Sequence, residues 1–360
     1  MSELVEVHEE HDATFEERGG RRVVAHYGNP ASAHRAVRNV VGVTEHTYDV
    51  VVVGGEDRIE YVDNVVSNNV PTADGQGVYA LLLTPQGRIE TDMYVYNADK
   101  RLLVFLPPGQ GESLAEEWAE KTFIQDVDIS PATGEFSVFG VHGPNATEKV
   151  ASVFSTQTPD EQLSFVRGST ANTGVTVVRT DAPTGEEGYE VICDASDAVS
   201  VFDTLENRGL NAAPFGLRTW ETLTLEAGTP LFESELSDRV PNSLGLRNAV
   251  NFEKGCFVGQ EVVSRVENRG DPNKRLAGLT VETVPAAGAT VFDGDRSVGE
   301  VTRGAEGPTR GEPLALALVD ADATDNGDLA VRVDGAERPA SVVDLPFIDG
   351  SEQSARLPTY

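Results

Sequence analysis

An α+β fold that ends in a small antiparallel β-barrel is what this sequence predicts, on three observations. Helical and strand-like segments recur twice over residues 1–270 without the strict β-α-β alternation of a doubly wound sheet. From Arg275 onward the text changes to short apolar runs separated by glycines, the spacing of a small barrel. A chain of 360 residues is long enough for two or three separate cores. The expected organisation is therefore two α+β lobes over 1–270 and a barrel domain over 271–360.

The elements follow in chain order. Residues 1–50 are polar and helix-like until Tyr48–Val53, a β-branched run that stops at Gly54-Gly55; GGEDRIE lacks the GxGxxG spacing of a dinucleotide site, so a simple turn is expected. His8 and His11 lie in a charged terminal segment and are read as solvated rather than as metal ligands. Val78–Leu83 and Ile89–Tyr96 flank TPQGR as a hairpin. In its second strand Ile89, Thr91, Met93 and Val95 share one face, and Glu90, Asp92, Tyr94 and Tyr96 share the other, which by pattern alone is a solvated outer face. After the strand Leu102–Leu106, Ser113 and Glu116 have capping-box spacing. Helices are expected from Pro144 to Phe154 and from Thr158-Pro159, with Glu161 in the first turn. The strand Val175–Arg179, the turn APTGEEG, the strand Tyr189–Cys193 and a helix from Asp197 to Gly209 complete the second unit. Asp271-Pro272-Asn273 then punctuates the change to barrel text.

Composition narrows the function. Against 59 acidic residues stand 28 basic ones, a net charge of −31 that repels nucleic-acid backbones and anionic membranes. The acids are spread along the chain rather than blocked into a tail, which points to adaptation to concentrated salt. Two distant cysteines are no disulfide framework, and neither CxxC nor HExxH occurs. A reducing cytoplasm and a monomeric, soluble protein are expected, with no membrane or nucleic-acid partner.

Asn251–Arg265, NFEKGCFVGQEVVSR, concentrates scarce residue types: one of five lysines stands two positions before one of two cysteines. A nearby ammonium favours the thiolate, and an exposed thiolate is reactive; the alternative is a buried cysteine in a tight turn. KGCFVGQE, Lys254–Glu261, resembles the signature of the YgfZ family, folate-binding relatives of the glycine-cleavage T-protein (aminomethyltransferase). TGEEGYE, Thr184–Glu190, resembles a T-protein superfamily segment whose closing glutamate holds the pterin of tetrahydrofolate. A carboxylate suits that task because it accepts paired N–H bonds from an aminopyrimidine edge.

The resemblance implies two ferredoxin-like lobes and a terminal barrel around a folate channel. It implies Glu190 as pterin ligand, Tyr189 as a pocket wall and Glu186 projecting beside them. LTLEAG resembles a T-protein segment that carries Arg where this chain has Thr224, so Arg218 or Arg247 is expected to supply the cation for an anionic folate tail. In GRIETDM the catalytic acid of the T-proteins would be Asp92, with Thr91 at the neighbouring acidic position. The function expected is a tetrahydrofolate-binding accessory protein of the YgfZ type, serving iron–sulfur client proteins or tRNA modification, with Cys256 as its working thiol. The alternatives are a folate-dependent aminomethyltransferase or methyltransferase using Asp92, and a folate-fold module in which the glycine-rich signature is structural. The distributed charge carries its own test: the melting temperature should rise by roughly 5 °C or more between dilute buffer and molar KCl, and a salt-independent value would remove the argument for salt adaptation.

Overall fold

In the computed structural model, which describes residues 3–270, 272–325 and 328–360, two β-sheets face each other and a closed barrel packs beside them. The first sheet runs in the order Gln76–Leu83, Ile89–Ala98, Arg101–Leu106, Asp49–Gly54, Asp128–Pro131. The second runs Phe165–Thr170, Thr173–Arg179, Gly188–Asp194, Phe136–His142, Gly42–His46, Ala213–Pro214. Gly42–His46 belongs to the second sheet and Asp49–Gly54 to the first, so the first lobe is inserted into the chain of the second.

Strand alternation sorts the side chains into three layers. On the outer face of the first sheet, Met93, Val95 and Val104 are buried with Tyr61 and Trp118 of the helices Arg58–Val65 and Gly111–Lys121. On the outer face of the second, Val141, Tyr189 and Val191 are buried with Val150 and Phe202 of the helices Ala146–Val153 and Ala198–Asn207. Between the sheets, Tyr79, Leu81, Tyr94, Tyr96 and Phe105 meet Val138, Phe165, Val178 and Ile192. Full burial of each such side chain contributes about 1.5–3 kcal/mol.

The inner layer corrects the reading of the Ile89–Ala98 strand. Glu90 alone on its polar face is exposed; Asp92, Tyr94 and Tyr96 are buried against the opposite lobe. The face taken for an outer one looks inward because the helices cover the other side, where Thr91 points. His8 is likewise buried, between Glu45 at 3.1 Å and the Tyr27 hydroxyl at 2.8 Å, on the helix Glu3–Glu10. The helix Gly111–Lys121 starts ahead of Ser113, whose hydroxyl donates to the Gln110 carbonyl, so Ser113 is not its cap. Thr158–Glu161 forms no helix; the segment leads into the strand Phe165–Thr170. Asp271 lies outside the described residues.

Six antiparallel strands, in the order Lys274–Val281, Glu312–Asp320, Arg296–Gly307, Thr290–Asp293, Asp328–Val333, Ala336–Val343, close the barrel and leave no free edge. The chain then leaves the barrel and returns to the lobes. Backbone N–H groups of Phe347, Ala355 and Thr359 donate to the carbonyls of Glu226, Asp181 and Gly245, each at 2.9 Å. Among the described residues no helix is long and apolar enough to cross a membrane.

The KGCFVGQE segment is tied into this frame. The Lys254 ammonium is buried, donates to the carbonyls of Val66 and Asn68, and lies 3.1 Å from Asp63. Gln260 Nε2 donates back to the Lys254 carbonyl at 2.9 Å. Gly259 has φ +81°, and a Cβ there would stand 2.6 Å from the Thr84 carbonyl; a Cβ on Gly255 would touch nothing. Gly259→Ala should therefore cost roughly 1–2 kcal/mol and Gly255→Ala under about 0.5 kcal/mol in denaturant unfolding at high salt. Equal losses at the two sites would contradict this division of roles.

Candidate folate-binding site

A cavity of about 370 Å³ opens between the two sheets and the segment Leu217–Ser234, and its walls include Tyr48, Tyr94, Phe105, Trp220 and Phe232. Its size and aromatic lining suit a small planar ligand. Asp92, Arg356 and Arg18 bring charge to it.

Two carboxylates, one from each sheet, are held in the same way. The Tyr79 hydroxyl donates to Asp92 Oδ2 at 2.7 Å, and Asp92 Oδ1 is buried without a protein partner. The Tyr48 hydroxyl donates to Glu190 Oε1 at 2.8 Å, and Glu190 Oε2 is buried without a partner. A third acid, Asp181, accepts from the Tyr94 hydroxyl at 2.9 Å and lies 2.9 Å from Arg356 Nε. The Arg356 guanidinium also sits over the Tyr79 and Tyr94 rings, 5.0 and 5.8 Å from their centroids. One cation thus faces three buried acids. Burial raises the Asp92 carboxyl above its ordinary range, opposed by Arg356. Burial pushes Glu190 up to about 7, opposed by its bond from Tyr48, while Asp181 raises it further. Among the described residues no group of three or more His, Cys, Asp or Glu is placed to hold a metal ion.

Residues 4–254 match the GCVT N-terminal domain, and residues 274–349 match the glycine cleavage T-protein C-terminal barrel domain. The chain belongs to the glycine cleavage T-protein family. It is 32% identical to the aminomethyltransferase of Cutibacterium acnes, over 96% of this chain and 97% of that protein. It is 30% identical to the probable aminomethyltransferase of Halobacterium salinarum, over 95% and 97%. The crystal structure of glycine cleavage system aminomethyltransferase T from Bartonella henselae shares the fold, with a TM-score of 0.87 at 22% identity, over 97% of this chain and 98% of that one.

On this T-protein fold Asp92 lines the cavity, Glu190 stands behind its wall joined to the lining Tyr48, the charge of Arg356 acts on both, and the other expected residues lie elsewhere. Tyr189 faces away from Glu190 into the outer core, where its hydroxyl contacts Thr147 and Arg179; strand alternation forbids both from lining one pocket. Glu186 is buried in a structural role, accepting from Arg38 at 3.0 Å and from the Ser351 backbone at 2.8 Å. Arg218 is half-exposed and paired with Glu16 and Glu221, and Arg247 is paired with Glu267. Neither lines the cavity. The cation beside Thr224 is Arg303, reaching from the barrel to donate to its hydroxyl at 2.9 Å and to the Thr229 carbonyl at 2.7 Å. Cys256 is exposed but outside the cavity, and Lys254 spends its ammonium on Asp63 and two carbonyls.

Tyr48, Tyr79, Asp181 and Arg356 were not legible as site residues. Asp181 stands just before the TGEEGYE turn, which is the one available signal. Arg356 stands four positions before Tyr360, in a stretch with no motif.

The raised Glu190 carboxyl has a consequence for stability. Its folded form keeps a proton that the unfolded chain, with the ordinary value of 4.5, gives up, so stability is lost as pH rises from 4.5 through about 7. Glu190→Gln should gain about 3 kcal/mol over the native protein at pH 8 and little at pH 4.5, measured by denaturant unfolding in high salt. An equal change at both pH values would show that Glu190 is not held in this environment.

Proposed function

We propose that this protein is a tetrahydrofolate-dependent aminomethyltransferase. The observation that carries the reading is the matched pair Asp92 and Glu190, on facing sheets, each with one oxygen fixed by a tyrosine and the other unpartnered. Glu190 suits the paired N–H groups of a pterin, and the aromatic walls suit the rings that follow it. Besides Arg356, Arg18 is the basic residue of the cavity wall for an anionic tail, with Glu16, Glu221 and Glu233 sharing its guanidinium.

Bound tetrahydrofolate would supply the two nitrogens that take up the one-carbon unit, one in the pterin ring and one on its bridge to the aminobenzoyl group, each losing a proton as the carbon's bonds to the carrier sulfur and to the amine break and those two leaving groups are protonated. The chain's own contribution is to orient the pterin at Glu190, exclude water between the lobes, and handle a proton at Asp92 Oδ1. Because burial raises the Asp92 carboxyl, that oxygen can hold a proton and give it to the amine that departs as ammonia. Thr91, in the neighbouring acidic position of the resemblance, faces the helical layer and not the cavity, so its lack of charge leaves this arrangement intact. The relatives named as aminomethyltransferases, alike over nearly their whole length, support the same reading. Two free thiols and the dispersed acidic charge support a reducing, salt-rich cytoplasm as its setting.

A second reading, an accessory protein of the YgfZ type for iron–sulfur clients or tRNA modification, is favoured by the KGCFVGQE segment and the exposed Cys256. One set of variants separates the two. With an aminomethylated lipoyl carrier and tetrahydrofolate as substrates, Asp92→Asn should lower kcat at least about 100-fold and shift the tetrahydrofolate Kd less than about 3-fold, while Cys256→Ser changes neither. Full turnover in Asp92→Asn would end the transferase reading. Absent turnover in the native protein, with iron–sulfur enzyme activities lost in Cys256→Ser cells, would replace it with the accessory role.

A further inference from the structure

Behind Tyr48 the second sheet presents an unusual floor. Gly140 is paired directly with Glu190 on one side and Thr44 on the other, so all three share one face. His46 and His142 lie on the same face, and their Nε2 atoms both fall within 2.6 Å of the point that a Cβ on Gly140 would occupy. The glycine makes room for the two rings to converge. They meet edge to face at 5.9 Å, and Trp220 closes over them at 4.8 Å from His46 and 5.3 Å from His142.

Neither ring is satisfied by the protein. His142 is fully buried with both nitrogens unpartnered, and His46 Nε2 is buried and unpartnered while His46 itself lines the cavity. Burial holds His46 near 4 and His142 well below its ordinary range, so both are neutral and each carries one N–H and one acceptor nitrogen. A buried polar group left without a partner is destabilising, so these nitrogens call for a ligand or an internal partner. With one water relaying a hydrogen bond from His142 Nε2–H to His46 Nε2, His46 carries its proton on Nδ1, the nitrogen left for the cavity.

We propose that His46 donates from Nδ1 to the carbonyl oxygen of a pterin ring seated on Glu190, and that His142 is the positioning residue that fixes this tautomer. The inference rests on the folate reading above and deepens it. In a pterin held by its ring N–H and amino group, the carbonyl is the next polar atom along the same edge. It needs a donor beside Glu190. Tyr48 and Tyr94 are committed to Glu190 and Asp181; Arg356 faces Asp181 through Nε and lies over the Tyr79 and Tyr94 rings, and its terminal nitrogens are the competing donors that the test below separates from His46. His46 is the cavity-lining group next to Tyr48, at 5.3 Å between rings, that has no such commitment.

The test is calorimetry at high salt with two probes, tetrahydrofolate and an analogue in which sulfur, a weak acceptor, replaces the ring carbonyl oxygen while the ring N–H and amino group are kept. His46→Phe should weaken tetrahydrofolate about tenfold or more and leave the analogue unchanged. His46→Gln, whose amide can donate, should recover part of the loss. His142→Phe should give a smaller loss with the same dependence on the carbonyl. Equal weakening of both ligands would mean that the histidines only pack, and no weakening of either would put the carbonyl contact elsewhere; each overturns the proposal. Failure of the native protein to bind either ligand would overturn the folate reading and this inference with it.

Discussion

The burial of Arg356 among three carboxylates is the constraint on which the rest of this structure depends. Asp92 comes from the first sheet, Glu190 from the second, Asp181 from the connection between two strands of the second, and Arg356 from the tail that returns after the barrel. Removing one partner from such a buried group typically costs 3–5 kcal/mol, because it strands uncompensated charge. The guanidinium therefore joins three separate parts of the chain at the point where the cavity lies. The barrel's position follows from it: the strand Ala336–Val343 must end where the tail can cross Glu226, Gly185 and Asp181 on its way to Gly245.

One cation cannot neutralise three acids, and that imbalance is useful. It leaves Asp92 and Glu190 with raised carboxyls and one open oxygen each. An apolar filling of the same space would be more stable but could neither bind a polar ring nor move a proton. The tyrosines keep the cost bearable, since Tyr48, Tyr79 and Tyr94 each donate to one of the acids while their rings fill the core. The surface follows a different logic. Its dispersed acids, part of the −31 total, favour solvation in salt, whereas the buried acids are shielded from it and keep their mutual coupling.

Much of this was legible in the sequence where local pattern and global position agree. The hairpin around TPQGR, the strand pair around TGEEGYE and the glycine-spaced barrel follow from alternation and turn chemistry. Asp92 and Glu190 are named by the family resemblance of their segments, not by pattern, which gives a solvated face and a charged turn. What failed had to do with which face of a strand looks inward. Tyr189 is adjacent to Glu190 in sequence and opposite to it in space, and the alternation that puts Cys193 beside Val191 in the core puts Tyr189 there too. The polar face of Ile89–Ala98 looked solvated because the insertion of one lobe into the other, with only Thr47 and Tyr48 between Gly42–His46 and Asp49–Gly54, leaves no mark in composition. The surface arginines Arg218 and Arg247 were plausible as cations but have carboxylate partners of their own. Arg356 and Arg303 act through contacts far away in sequence, which no local pattern encodes.

The family places this chain among T-proteins; the cavity gives a physical reason why a folate would choose one orientation in it. Glu190 Oε2 is the buried acceptor waiting on one sheet, and Asp92 Oδ1 waits on the other. A crystal structure grown at high salt with tetrahydrofolate tests this most directly. The pterin's amino and ring N–H groups should lie within hydrogen-bond distance of Glu190, with Asp92 facing the reactive nitrogens. A ligand found in the second hollow between the sheets, beside Arg101 and Arg167, with Glu190 still capped by Tyr48 alone, would contradict it.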